Sequence, residues 1–217
     1  MPKKTKTLEV AVVNTNIPDY WDKAKKFLIK NDPVLARIIK QYKGEALASR
    51  GSAFFSLARA IVGQQISVKA AQTVWNRLLM AVSEVLPQNI LHADTDLLRT
   101  CGLSARKVIY LKELSQFFAT TNPEWHLKND QEVIKDLVSI KGIGKWSAEM
   151  FLIFHLLRPD VFPVADIGVQ RAIEKHYNHG KKMPLSEMTT LSEKWKPYRT
   201  VATWYLWRSL DPVPVEY

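Results

Sequence analysis

The chain is short of several things. It has a single cysteine, Cys101. That excludes an internal disulfide, a four-cysteine zinc site and an iron–sulfur cluster held by this chain. No stretch approaches the ~18 consecutive apolar residues that a membrane-spanning helix needs. The apolar run before Asn14 is too short for a secretory core. Strand-like alternation is nearly absent, and only LEVAVV, from Leu8 to Val13, reads weakly that way. There is no repeat of solenoid period and no low-complexity tract. Acidic residues are outnumbered, 21 against 31 Lys and Arg, for a net charge of +10 and a pI near 9.6. A balance this basic points to a polyanion, nucleic acid before an anionic membrane, though plain solubility charge has the same look. The five histidines are scattered. His176 and His179 are the one close pair, and no third ligand accompanies them, so no metal site is assigned.

What remains is apolar and helical. Hydrophobic residues make up 47% of the 217, enough for a packed interior, and seven are tryptophan. Rings that large either fill a core or line a pocket. Helix signals recur throughout. Pro18 opens a pattern carrying Trp21, Ala24, Phe27 and Leu28, and Asp32 with Pro33 starts a second through Leu35, Ile38 and Ile39. Ser52 caps a third, which breaks at Gly63-Gln64-Gln65 before Ser67 restarts helix toward Leu78. Further patterns run from Asp94 to Leu98, Ser104 to about Phe118, Asp130 to near Ser139, on to Leu157, and from Asp166 to about Asn178. The tail predicts a short helix from Leu191 to Trp195 and a last one opened by Pro197. The fold class is all-α, with two packed helical domains and a cleft between them. One runs from about residue 53 to 160. The other combines 1–52 with 161–217, because a lone tail of that size would bury too little surface.

The informative stretch is LVSIKGIGKWSAEMFLIF. Two helices meet at Ile140-Lys141-Gly142-Ile143-Gly144-Lys145. Glycines two apart permit a tight turn and close approach of another backbone. Amides at such a turn, beside a helix N-terminus, point outward and suit phosphate, and Lys141 and Lys145 add charge. Ile140 and Ile143 anchor the turn. The bland alternative is an ordinary corner with solvated lysines.

This segment resembles the helix-hairpin-helix of the DNA glycosylase superfamily named for that hairpin, a Gly/Pro-rich loop and an aspartate. FPVADIGVQRAI resembles the loop and aspartate. LARAIVGQQISVKAAQTVW resembles the DNA-facing turn of the alkyl-base branch, the 3-methyladenine DNA glycosylase II type, and EKWKPYRTVATWYLW its C-terminal helix. The likeness spans about Ala53 to Leu210. It implies base excision repair by a monofunctional enzyme that flips an alkylated purine from damaged duplex DNA and hydrolyses its N-glycosidic bond. Asp166 is then the catalytic carboxylate, stabilising an oxocarbenium-like state and orienting water; on local sequence alone the favoured reading is a helix N-cap, and it is the resemblance that reverses it. Superfamily members that also nick the backbone carry a Schiff-base lysine where Trp146 stands, so the comparison implies hydrolysis alone. Trp146, Trp207 and Trp204 are the candidates for the base pocket, where indole faces attract a cationic base, with an aromatic core stripe as the alternative. Gln64 and Gln65 interrupt an apolar helix and are both candidates for contacting DNA, and the resemblance gives Gln65 the position of the side chain that wedges into the minor groove; a surface turn is the alternative.

No cofactor is required, although the resemblance allows a monovalent cation on the hairpin's backbone carbonyls. The expected partner is double-stranded DNA bound by a monomer, in the cytoplasm with the nucleoid or in a nucleus. Competing readings are a glycosylase for oxidised or deaminated bases, and a non-catalytic DNA-binding module using the hairpin alone.

Overall fold

The computed structural model describes residues 17–49 and 51–210, so the Leu8 to Val13 segment lies outside the described residues. The elements are α1 (Trp21–Asn31), α2 (Pro33–Gln41), α3 (Ala53–Gly63), α4 (Val68–Val82), α5 (Pro87–His92), α6 (Thr95–Thr100), α7 (Ala105–Thr120), α8 (Asp130–Ser139), α9 (Lys145–Phe154), α10 (Ile167–Tyr177), α11 (Leu185–Ser192) and α12 (Arg199–Arg208), with 3₁₀ turns at Trp125–Leu127 and Glu193–Trp195. No strand forms among the described residues, and no helix among them is long and apolar enough to cross a membrane.

Caps start most of these helices. Asp32 accepts from the amides of Val34 and Leu35, Ser52 from Phe55, Ser67 from Ala70 and Ser104 from Lys107. Such a cap contributes about 1 kcal/mol. Five boundaries differ from the sequence expectation. The helix expected to reach Leu157 ends at Phe154, with His155 as its C-cap. Pro18 accepts the Trp21 amide in a preceding turn, and α1 begins only at Trp21. Asn129, not Asp130, caps α8, through a reciprocal pair with Glu132. Pro197 does not open α12: the Tyr198 amide closes a turn on the Trp195 carbonyl at 2.7 Å, and helix resumes at Arg199. The expected Leu191 to Trp195 helix is the end of α11 continued by a 3₁₀ turn.

The packing falls into two sets. In the first, α3 is buried on most of its surface and lies against α4, α7 and α9, while α8 pairs with α9 and α5 and α6 with α7. In the second, α1 and α2 pack on each other and on α12, and α10 packs on α12. A single apolar core runs through both. Each fully buried Leu, Ile or Phe side chain contributes roughly 1.5–3 kcal/mol. Helix α12 is buried from Thr200 to Arg208, so its sequence carries no apolar stripe. Two of its polar side chains are paired inside: Thr200 Oγ1 accepts from the Val161 amide and donates to the Arg158 carbonyl, and Arg208 pairs with Glu45.

Asp32 ties the N-terminal helices to the C-terminal part. It is fully buried and accepts from Trp195 Nε1 and Tyr177 Oη, each at 2.8 Å, with Lys194 Nζ at 3.0 Å. Burial pushes its carboxyl up, but these donors and the Leu35 amide outweigh that and hold it below the ordinary carboxylate value.

Candidate active site

Asp166 sits at the N-terminus of α10 with three N–H donors around its carboxylate. Oδ1 accepts from the Val169 amide at 2.9 Å and from Trp207 Nε1 at 2.8 Å. Oδ2 accepts from Trp146 Nε1, also at 2.8 Å. Trp146 comes from the first turn of α9 and Trp207 from the end of α12, so three helices converge on one side chain. Gly168 keeps the corner small. A β-carbon there would stand 3.0 Å from both Asp166 Oδ1 and Trp207 Cδ1.

A concavity of about 490 Å³ opens beside this corner, within the roughly 300–1,000 Å³ usual for small-molecule pockets. Trp146, Ile167 and Gly168 line one side, and α3, α4 and the turn between them line the other. It therefore lies where the two helix sets face each other. Among the residues proposed from sequence, Trp146 and Gln65 line it. Trp207 does not. It is 5% exposed, lies with its ring 5.7 Å from Phe154 at 17°, and presents its N–H edge to Asp166. Trp204 is 2% exposed and packs edge-on against Trp21 at 5.4 Å. Three residues apart should put both on one stripe, but α12 is buried all round, so sharing a face does not mean sharing a pocket.

Sequence reasoning missed Arg59 and Arg171, which also line the concavity. Arg59 interrupts the apolar run of α3. It reaches Gln72 Oε1 at 2.7 Å and lies over the Trp75 ring. Nothing local marked either arginine, since a lone cation on a helix is usually solvated. Glu149 was missed too. It is buried one turn beyond Trp146. Burial raises its carboxyl above the ordinary value, the neighbouring Asp166 charge adds to this, and Lys145 at 3.8 Å opposes it.

The hairpin joins α8 to α9. Its closing bond runs from the Ile143 amide to the Ile140 carbonyl at 3.0 Å, and both isoleucines are buried. The two glycines differ. Gly142 has φ +93°, and a β-carbon there would lie 2.2 Å from the Tyr110 ring. Gly144 has open space around it and caps α9 without a side-chain acceptor. The first amides of α9 therefore face outward at the positive end of the helix. Lys141 and Lys145 flank them and are largely exposed. Gln64 is engaged elsewhere: its Nε2 donates to the Gly142 carbonyl at 2.9 Å and to Ser147 Oγ at 3.3 Å. Only Gln65 of that pair projects outward.

Residues 58–197 match the model of the HhH-GPD superfamily of base excision DNA repair proteins. The chain belongs to that superfamily. A putative DNA-3-methyladenine glycosylase of Bacillus subtilis is 32% identical to this HhH-GPD protein over 82% of the chain and 66% of its own length. DNA-3-methyladenine glycosylase 1 of Schizosaccharomyces pombe is 33% identical over 81% of the chain and 80% of its own length. A solved structure of a fission yeast 3-methyladenine DNA glycosylase in complex with abasic DNA superposes with a TM-score of 0.79, at 30% identity, covering 90% of this chain and all of that one.

Proposed function

We propose that this protein is a monofunctional DNA glycosylase of base excision repair. It binds damaged duplex DNA as a monomer, extrudes an alkylated purine such as 3-methyladenine or 7-methylguanine into the concavity, and hydrolyses the N-glycosidic bond. Its place is wherever the DNA is, with the nucleoid in the cytoplasm or in a nucleus. The observation that carries the reading is the Asp166 carboxylate, fixed by two indole N–H groups at the edge of an open pocket between the helix sets.

The chemistry follows from that placement. The C1′–N bond breaks with its electron pair going to the base, which neutralises the positive charge of an alkylated purine. No general acid is needed for that leaving group. The carboxylate stabilises the positive charge developing on the sugar. Water bonds to C1′ and gives its proton to Asp166. The half-buried Trp146 indole, rather than the enclosed Trp207, supplies an aromatic wall for the cationic base. Position 146, where the family resemblance puts the Schiff-base lysine of backbone-nicking members, holds an indole, so the product is an intact abasic strand.

Binding is a separate matter. The α9 amides, Lys141 and Lys145 suit a phosphate, and Arg59 and Arg171 suit the phosphates beside the extruded nucleotide. Gln65 is the wedge that fills the gap in the stack. No cofactor takes part. A monovalent cation on the hairpin carbonyls rests on family resemblance alone. The Ile140 and Gly142 carbonyls already accept from Ile143 N and Gln64 Nε2, and no step depends on an ion there.

The test is to incubate the protein with duplexes bearing one methylated, deaminated or oxidised base and identify the free base released. The expected products are free alkylpurine, an uncleaved abasic strand and no borohydride-trapped adduct. Release confined to oxidised bases, or a trapped lysine adduct, would overturn the reading.

A further inference from the structure

The turn between α3 and α4 has a conformation that needs an explanation. Gln65 lies in the left-handed region, at φ +58°. Residues other than glycine hold that conformation where their surroundings impose it. The Gln65 side chain is exposed and lies along the concavity, so the constraint does not come from its own packing.

Two neighbouring side chains supply the constraint. Lys107, in the first turn of α7, donates from Nζ to the Val62 carbonyl at 2.8 Å and the Gln64 carbonyl at 2.7 Å. Val62 is in the last turn of α3, where carbonyls lack intrahelical partners and a cation is favoured. A lysine in the first turn of α7 opposes the dipole of its own helix. Its position is explained by α3 and the turn, not by α7. Gln64 reaches the other way, to the Gly142 carbonyl in the hairpin and to Ser147 Oγ in the first turn of α9. The turn is thus fastened behind to α7 and beside to the hairpin, with Gln65 left projecting between the two anchors.

We infer that Lys107 and Gln64 are positioning residues for base extrusion. Together they preset the turn that carries Gln65 and lock it to the hairpin, so the wedge and the phosphate-binding turn engage DNA as one rigid piece. Neither side chain has to touch DNA for this. The inference rests on the reading of Gln65 as the wedge.

The test uses duplexes with one 7-methylguanine, either paired with cytosine or set opposite an abasic gap, where extrusion costs less. Single-turnover release at saturating protein is measured for Lys107→Met, Lys107→Arg, Gln64→Met and Gln65→Ala, alongside affinity for undamaged duplex. A preset wedge predicts that Lys107→Met and Gln64→Met release the paired lesion about tenfold or more slowly, as a small misplacement of working groups does. Release from the gapped duplex stays near wild type, undamaged-duplex affinity stays near wild type, and Lys107→Arg recovers most of the loss. A merely structural role would slow both duplexes equally, and that result overturns the proposal. If Lys107→Met melts below the assay temperature, Gln64→Met carries the test. Gln65→Ala separates the two readings. If it excises both lesions like wild type, the wedge reading fails and the inference with it. If it shows the paired-lesion defect while Lys107→Met and Gln64→Met do not, the inference alone fails.

Discussion

Two aspartates occupy the same local device in different surroundings. Asp32 and Asp166 each cap a helix through a side-chain oxygen, and each accepts from tryptophan N–H groups at 2.8 Å. Asp32 is fully buried and shares its Oδ2 among an indole, a phenol and an ammonium. Asp166 receives two indoles and an amide, and its neighbours Trp146, Ile167 and Gly168 line the concavity. The first carboxylate has its charge balanced within the fold and serves cohesion. The second is held in place beside an open concavity, and the proposed function makes it the catalyst. On that reading, cap and catalyst are distinguished by what lies beyond the cap.

The largest expected effect is on the buried member. Asp32→Ala leaves the Trp195, Tyr177 and Lys194 donors without an acceptor and should cost roughly 3–5 kcal/mol of stability, the range for breaking a buried charged pair. Denaturant unfolding measures it. The sign with pH follows from the depressed carboxyl: its stabilisation is present above the unfolded value and is lost as pH falls through the folded one. Below that point Asp32→Ala and wild type should converge, and a gap that persists in acid would assign the loss to packing alone.

The hairpin glycines come next. Gly142→Ala forces a β-carbon into Tyr110 and a strained φ, so it should lower both melting temperature and DNA affinity. Gly144→Ala meets nothing in the free protein and should melt like wild type. If a phosphate lies against this turn, Gly144→Ala still weakens all duplexes alike, by about tenfold or less, because such contacts position without reading sequence. Wild-type affinity for Gly144→Ala would remove the phosphate from this turn.

Trp207→Phe sharpens the account of the aromatic residues. It keeps a ring against Phe154 and removes one donor to Asp166. Excision should fall modestly, about tenfold, equivalent to one lost hydrogen bond to a charged group. The loss should be equal for charged and neutral lesions, because this ring is buried against Phe154 and does not line the concavity. A selective loss on charged lesions would put the Trp207 face back in the pocket.

The smallest effect concerns Glu149, whose carboxyl is raised mainly by burial. Its favourable contribution is present below the unfolded value and is lost as pH rises through the folded one. Glu149→Gln should therefore flatten the fall of stability over that window. An unchanged pH profile would mean that this carboxyl ionises as if in water.

Legibility in the sequence followed the range of the interactions. Caps such as Asp32, Ser52, Ser67 and Ser104 bond to amides two or three residues on, and were readable. The hairpin was readable because its glycines and isoleucines are adjacent. Helix α5 was not, since Leu86 offers no capping side chain and the segment is six residues long. The indole partners of Asp166 stand 20 and 41 positions away, and nothing near FPVADIGVQRAI announces them. Trp204 follows the core alternative rather than the pocket reading, because α12 is buried all round. Gln64 looked like an exposed break and is bonded to the hairpin. Lys107 and Arg59 gave no local signal because their partners lie on other helices, and Arg171 and Glu149 because only the fold brings one to the concavity and buries the other.

The most direct test of the central claim is single-turnover release of 7-methylguanine at saturating protein by Asp166→Asn, with a melting curve of the same variant. Asparagine caps nearly as well as aspartate but turns an amide toward Trp146 Nε1 and carries no charge. The account predicts a plateau rate lower by on the order of 10²-fold or more, a melting temperature close to wild type, and no recovery with more protein. A wild-type plateau, or a collapse in stability like that of Asp32→Ala, would return Asp166 to the role of a cap.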